Sequence, residues 1–94
     1  MDIETKRLHI HGIVQGVGYR HWASLKAKEM RLTGWIRNLS SDKSVEAVVT
    51  GTDMDVQKFI SACYEGPQSA QVKAIHINDG IDEEYDNFEI LDTL

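Results

Sequence analysis

Two hydrophobic periods alternate along this chain of 94 residues, and the order in which they alternate constrains the fold more than any other feature. From Arg7 to Ile13, Leu8 and Ile10 alternate with His9 and His11, a strand pattern that ends at Gly12 and gives way to a loop. Tyr19, Ala23, Ala27 and Met30 then recur at helical spacing among Lys26, Lys28 and Glu29, which predicts an amphipathic helix over residues 20–31. Gly34 to Leu39 reads as a second strand and Ser40 to Lys43 as a turn. Ser44 to Thr50, with Val45, Ala47 and Val49 set against Glu46, Val48 and Thr50, pairs back as the third strand of a hairpin. Thr52 caps a second helix, Asp53 and Asp55 complement its positive end, and the stripe Val56, Phe59, Ile60, Cys63 runs until Glu65-Gly66-Pro67 stops it. Val72 to Ile77 make a fourth strand whose imperfect alternation points to a bulge, and Asn87 to Leu91 a short fifth.

That order is β-α-β-β-α-β with one added edge strand. It predicts an α+β fold of the ferredoxin-like, split β-α-β kind: an antiparallel sheet with two helices on one face and the other face open to solvent. The length allows one domain, residues 1–94, with a single modest core. No internal repeat interrupts it, and Asp82-Glu83-Glu84 reads as a solvated connection.

Composition removes several classes of function. Ten Lys and Arg against fifteen Asp and Glu leave a net charge of −5, which disfavours nucleic acid and anionic membranes as partners while permitting one small anion held locally. Apolar runs such as Ala47-Val48-Val49 are far too short to cross a bilayer, and the opening MDIETKRLHI carries acids where a signal peptide has a positive region. A cytoplasmic monomer is therefore expected. Cys63 is the only cysteine, so no intrachain disulfide or cysteine metal cluster forms, and its helical spacing makes it a core residue.

The stretch Gly12-Ile13-Val14-Gln15-Gly16-Val17-Gly18-Tyr19-Arg20 joins the first strand to the first helix. Gly16 and Gly18 let successive amide N–H groups turn toward one point, next to the unpaired N–H groups and positive dipole of a helix start. Arg20 adds a planar fork of donors suited to phosphate oxygens. From the residues alone two readings stand: an anion cradle, or a tight strand-to-helix connection with a solvated arginine. Neither GxxxxGK[ST] nor GxGxxG is present, since the third residue after Gly18 is His21.

This stretch resembles the signature of the acylphosphatase family, and Gly34-Trp35-Ile36-Arg37-Asn38 resembles that family's second motif at the expected distance. Val45-Glu46-Ala47-Val48-Val49 with Gly51, Gly66-Pro67 and Phe88 extend the likeness over nearly the whole chain. The resemblance implies hydrolysis of the carboxyl–phosphate anhydride of a small acyl phosphate, without metal or cofactor. It implies that Gln15, Gly16, Val17, Gly18, Tyr19 and Arg20 bind the phosphate and that Asn38 orients the attacking water, Arg20 and Asn38 being the catalytic pair. Without the resemblance, Asn38 also reads as a strand-end residue bonding a turn.

Two departures accompany the likeness. Arg31 stands at the end of the first helix where relatives often carry glycine, and the hairpin Ser40-Ser41-Asp42-Lys43 is glycine-free and one residue longer, which bears on the placing of Asn38. Three other readings compete. His9 and His11 share one side of the first strand and His76 approaches them across the sheet, the outline of a metal-binding module, although His-x-His lacks a companion carboxylate or thiolate in sequence. Single-stranded RNA binding shares the element order, but Ser44 to Thr50 carries no aromatic on which a base could stack. A non-catalytic anion-binding module keeps the cradle and loses turnover.

Overall fold

The computed structural model describes residues 2–81 and 84–94, so Asp82 and Glu83 of the acidic connection lie outside the described residues. Its elements are β1 (Ile3–Ile13), α1 (Tyr19–Glu29), β2 (Thr33–Leu39), β3 (Ser44–Thr52), α2 (Asp53–Glu65), β4 (Gln71–Asp79) and β5 (Phe88–Ile90). They form a five-stranded sheet in the order β4-β1-β3-β2-β5. The ladders β4–β1, β1–β3 and β3–β2 are antiparallel, as a ferredoxin-like fold requires, whereas β5 lies parallel to β2 and makes the sheet mixed. The direction of β5 follows from the connectivity. β4 runs against β2, so a chain that leaves β4 and crosses at that end of the sheet enters the far edge pointing along β2.

One face of the sheet is covered by both helices. Leu8, Ile10, Ile36, Val45, Ala47 and Val49 from the central strands close on Tyr19, Ala23 and Ala27 of α1 and Val56, Phe59, Ile60 and Cys63 of α2. The helical spacings read from the sequence thus face the core. Phe88 pins the short β5 by packing its ring 6.2 Å from that of Phe59. Thr52 caps α2 through its hydroxyl, which accepts from Asp55 N at 3.2 Å. The bulge expected in β4 lies between the pairs His11–Ala74 and Gly12–Val72, where Lys73 is the extra residue. Among the described residues no helix is long and apolar enough to cross a membrane.

The face away from the helices is less open than expected. Glu46 and Val48 are buried, at 2% and 7% exposure, because Arg7, Trp35 and Arg37 close over the middle of β3. The Glu46 carboxylate accepts from Arg37 Nε at 2.9 Å and pairs with Arg7 on its other oxygen, while the Arg37 guanidinium lies 4.8 Å from the centre of the Trp35 ring. Alternation along β3 therefore misjudges its outward residues: a central strand under long side chains is dry on both faces. β1 also begins four residues earlier than its apolar alternation. Residues from Ile3 to Lys6 pair with the end of β3 through backbone register, with Thr5 Oγ1 2.7 Å from Thr50 Oγ1.

Helix α1 stops at Glu29, short of the expected 31, because the chain turns left-handed at Arg31, with φ 58°. Arg31 N donates to Lys28 O at 3.1 Å and Leu32 N to Ala27 O at 2.9 Å, the paired bonds of a Schellman closure, and Leu32 buries against the core. A Cβ in this conformation costs about 1–2 kcal/mol, which is partly offset by the lower unfolded-state entropy of a non-glycine residue. Arg31→Gly is therefore expected to raise stability by up to about 1 kcal/mol, read as a higher urea midpoint at unchanged slope. Arg31→Ala, which keeps the Cβ, should leave the midpoint where it is. A midpoint that moves with alanine as much as with glycine would place the effect in the arginine side chain instead.

Candidate active site

Strands β1 and β2 both run antiparallel to β3, which separates them, so their C-terminal ends share one edge of the sheet. The segment after β1 lies along that edge and turns into α1. Gly16 and Gly18 both take positive φ, 73° and 77°, and a Cβ at either would meet no atom within 4 Å. Space does not demand glycine here; conformation does, and the absent side chains leave the backbone bare toward the cleft.

The start of α1 is built without the usual competitors for an anion. Its cap residue is Gly18, with no side-chain hydrogen bond to the first turn and no acidic residue within that turn. The first N–H groups of the helix therefore have no capping oxygen, in contrast to α2, where Thr52 provides one. Arg20 lies in this turn, half-buried, and among the described residues its guanidinium has no carboxylate partner. The acids of this acidic chain are elsewhere.

A cleft of about 230 Å³ opens at this corner, lined by Val14, Gln15, Gly16, Gly18, Tyr19, Arg20, His21, Asn38 and Ile90. Six of the seven residues predicted for the site line it, and Val17 does not: its side chain packs partly buried against the core, which leaves only its N–H for the loop. Tyr19 lines the floor. Its ring is buried and its hydroxyl donates to Cys63 O at 2.7 Å, so burial drives the phenol well above its usual pKa and fixes it as neutral packing beneath the loop. Cys63 is also buried, its thiol pushed up to about 12 by desolvation, consistent with a core role.

Asn38 reaches the cleft from the end of β2. It pairs with Val45, which faces the helices, so its side chain leaves the sheet on the helix side. Its backbone carbonyl accepts from Leu94 N at 3.0 Å. Its side-chain Oδ1 is buried and, among the described residues, accepts no hydrogen bond. The longer glycine-free hairpin does not pull Asn38 away. Lys43 takes the left-handed position with φ 61°, and the Asp42 carboxylate accepts from Ser44 N at 3.1 Å, closing the turn without glycine.

One function of a side chain is absent from the sequence reading. The resemblance gives Gln15 a part in binding the phosphate, whereas its side-chain Nε2 donates to Leu39 O at 2.9 Å and Ser44 O at 2.8 Å, the carbonyls on either side of the hairpin turn. It ties the loop to the strand end that carries Asn38. No spacing rule signals this, because the partners are 24 and 29 residues away. Ile90 of β5, also unforeseen, forms an apolar wall of the cleft and is 43% exposed.

Comparison with known proteins matches residues 6–90 to the family model described as acylphosphatase. The chain is 46% identical over 78 residues to the acylphosphatase of Chloroflexus aurantiacus, covering 83% of this chain and 84% of that protein. Its fold is similar to the structure of an acylphosphatase from Coxiella burnetii, with TM-score 0.91 and 31% identity over 96% of this chain and 94% of that one. It is also similar to the crystal structure of acylphosphatase from Bacillus subtilis, with TM-score 0.88 and 28% identity over 96% and 99% of the two chains. A glycine-built helix start, an arginine that has no carboxylate partner among the described residues and an asparagine at the cleft thus sit in a chain whose match runs from β1 to β5: it belongs to the acylphosphatase family.

Proposed function

We propose that this enzyme cleaves the carboxyl–phosphate anhydride of a small acyl phosphate, with the phosphate held by the loop from Gln15 to Arg20 and the attacking water oriented by Asn38. The observation that carries the reading is that Asn38, Arg20 and the glycine loop line one cleft beside a helix start bare of capping oxygens.

The chemistry asks for position and charge compensation. The leaving group is a carboxylate, a weak base that needs no proton, so no general acid is called for. The phosphoryl group passes through a loose transition state with negative charge spread over its equatorial oxygens. Amide N–H groups of the loop and the Arg20 guanidinium supply donors to those oxygens. Asn38 cannot titrate and so cannot be a base; its side-chain amide hydrogen-bonds the water and holds the oxygen in line behind phosphorus. As the P–O bond to the carboxylate breaks and the new P–O bond forms, the water's proton passes to a phosphate oxygen. The products are a carboxylate and dihydrogen phosphate, which then loses a proton to solvent as the pH dictates. No step requires a metal ion.

Three measurements test this. Arg20→Ala should lower kcat/KM for benzoyl phosphate by at least about 100-fold, the loss typical for one donor of an oxyanion hole, and Asn38→Ala should lower kcat more than it weakens inhibition by inorganic phosphate. Wild-type turnover in either folded variant would overturn the assignment. Rates on a simple phosphate monoester should be negligible, and EDTA should leave anhydride cleavage unchanged; an anion-binding module without turnover would instead bind phosphate and leave benzoyl phosphate intact. Gln15→Ala, which frees the loop from the hairpin, should reduce kcat by about 10- to 100-fold through misplacement of the water relative to the phosphate. An unchanged kcat would show that the Gln15 bridge does not position the site.

A further inference from the structure

On the face of the sheet away from the cleft, His9 and His11 of β1 stand side by side, their ring centres 4.1 Å apart. His76 pairs with His9 across the β1–β4 ladder, and its ring lies 5.2 Å from that of His11. The sequence offers no carboxylate beside this His-x-His pair, but the hairpin brings one. Asp42, at the tip of the glycine-free turn, places its Oδ2 3.3 Å from His9 Nε2. Ligand atoms of His9, His11 and Asp42 all lie within 4.8 Å of one another.

We propose that His9, His11 and Asp42 form a binding site for a divalent first-row transition metal such as Zn²⁺, separate from the phosphate cleft and fastening the β2–β3 hairpin to β1. Two imidazoles and a carboxylate oxygen are the donors that zinc, nickel and copper(II) prefer, and a hard cation such as Mg²⁺ would want more oxygens than are present. Residues two apart on a strand project from the same face, so the histidine pair is already a chelate. Around zinc, donor atoms at roughly 2.0–2.1 Å from the metal stand about 3.3 Å apart, close to the His9–Asp42 separation. The remaining gap is one that rotation of the His11 imidazole about its Cβ–Cγ bond would have to close.

The surrounding residues orient the ligands. The other Asp42 oxygen, Oδ1, accepts from Ser44 N at 3.1 Å and from the Ser44 hydroxyl, which steadies the carboxylate with Oδ2 toward the histidines. Ser44 Oγ also lies 2.7 Å from His9 Nε2 and would give way to the metal on binding. His9 and Asp42 keep 35% and 42% of their side-chain surface exposed, so an ion reaches them without opening the fold.

The test is calorimetric titration of the phosphate-free, EDTA-stripped and desalted protein with ZnCl₂, alongside thermal melts with and without the metal. The wild type is expected to bind one Zn²⁺ per chain and to melt at a higher temperature in its presence. His11→Ala and Asp42→Asn should each weaken binding at least tenfold and lose the thermal shift, while still folding and hydrolysing benzoyl phosphate. His21→Ala, which removes the one histidine lining the cleft, should bind zinc as the wild type does. Absence of one-to-one binding, retention of it in His11→Ala, or its loss in His21→Ala would each overturn the proposal.

Discussion

Everything at the cleft depends on one topological constraint: β1 and β2 run in the same direction with β3 between them. Two strands so placed finish at the same edge, and the helix that joins them must begin there. The bare N-terminus of α1 and the end of β2 are thus neighbours although neither strand touches the other. The gap left by β3 still has to be closed. Gln15 closes it with one amide nitrogen that donates to Leu39 O on β2 and Ser44 O on β3. Among the described residues no other hydrogen bond joins the loop to the hairpin, so on the proposed reading the position of a bound phosphate relative to Asn38 would be soft without that bridge.

The two faces of the sheet handle charge in opposite ways. On the open face, Arg7 and Arg37 both pair with the carboxylate of Glu46, whose burial would otherwise be costly. On the helix side, Arg20 has no carboxylate partner among the described residues, and the first turn of α1 contains no acid. A net charge of −5 would repel a phosphate at long range. On the proposed reading, donors concentrated at one helix start, in a cleft that no acid lines among the described residues, offset that repulsion over the few ångströms where it matters.

How much of this could be read beforehand differs by residue and has a physical cause. The helices were legible because Tyr19, Ala23 and Ala27, and Val56, Phe59, Ile60 and Cys63, repeat the period of the structure they form, and periodicity is a local property. The left-handed glycines of the loop and the place of Arg20 at the helix start were legible for a similar reason: the conformation is set within nine consecutive residues. Residues Ile3 to Lys6 were not, since they enter β1 by pairing with residues near Thr50 rather than by their own pattern. Glu46 looked like an outward residue because only the assembled sheet sets Arg7 and Arg37 over it. The Gln15 side chain belongs to the same class. Its role depends on two carbonyls supplied by a hairpin that the loop itself does not encode.

The hairpin illustrates how a chain compensates for a missing glycine. Lys43 occupies a left-handed position at a cost that an exposed turn alone would express as fraying. Fraying there would carry Asn38 with it, because only Leu39 separates that residue from the turn. Yet the hairpin is anchored on every side. Gln15 holds its base from the helix face, His9 and Ser44 meet on the opposite face, the Asp42 carboxylate closes the tip, and Leu94 brackets it with bonds to Asn38 O and Ser40 N, both 3.0 Å. Each of these is worth on the order of 0.5–1.5 kcal/mol net, so any two offset the strain of one non-glycine turn residue. The left-handed lysine is tolerable because the turn is overdetermined by bonds from β1, from the loop and from the end of the chain, and the precision of Asn38 rests on that redundancy rather than on the turn's own sequence.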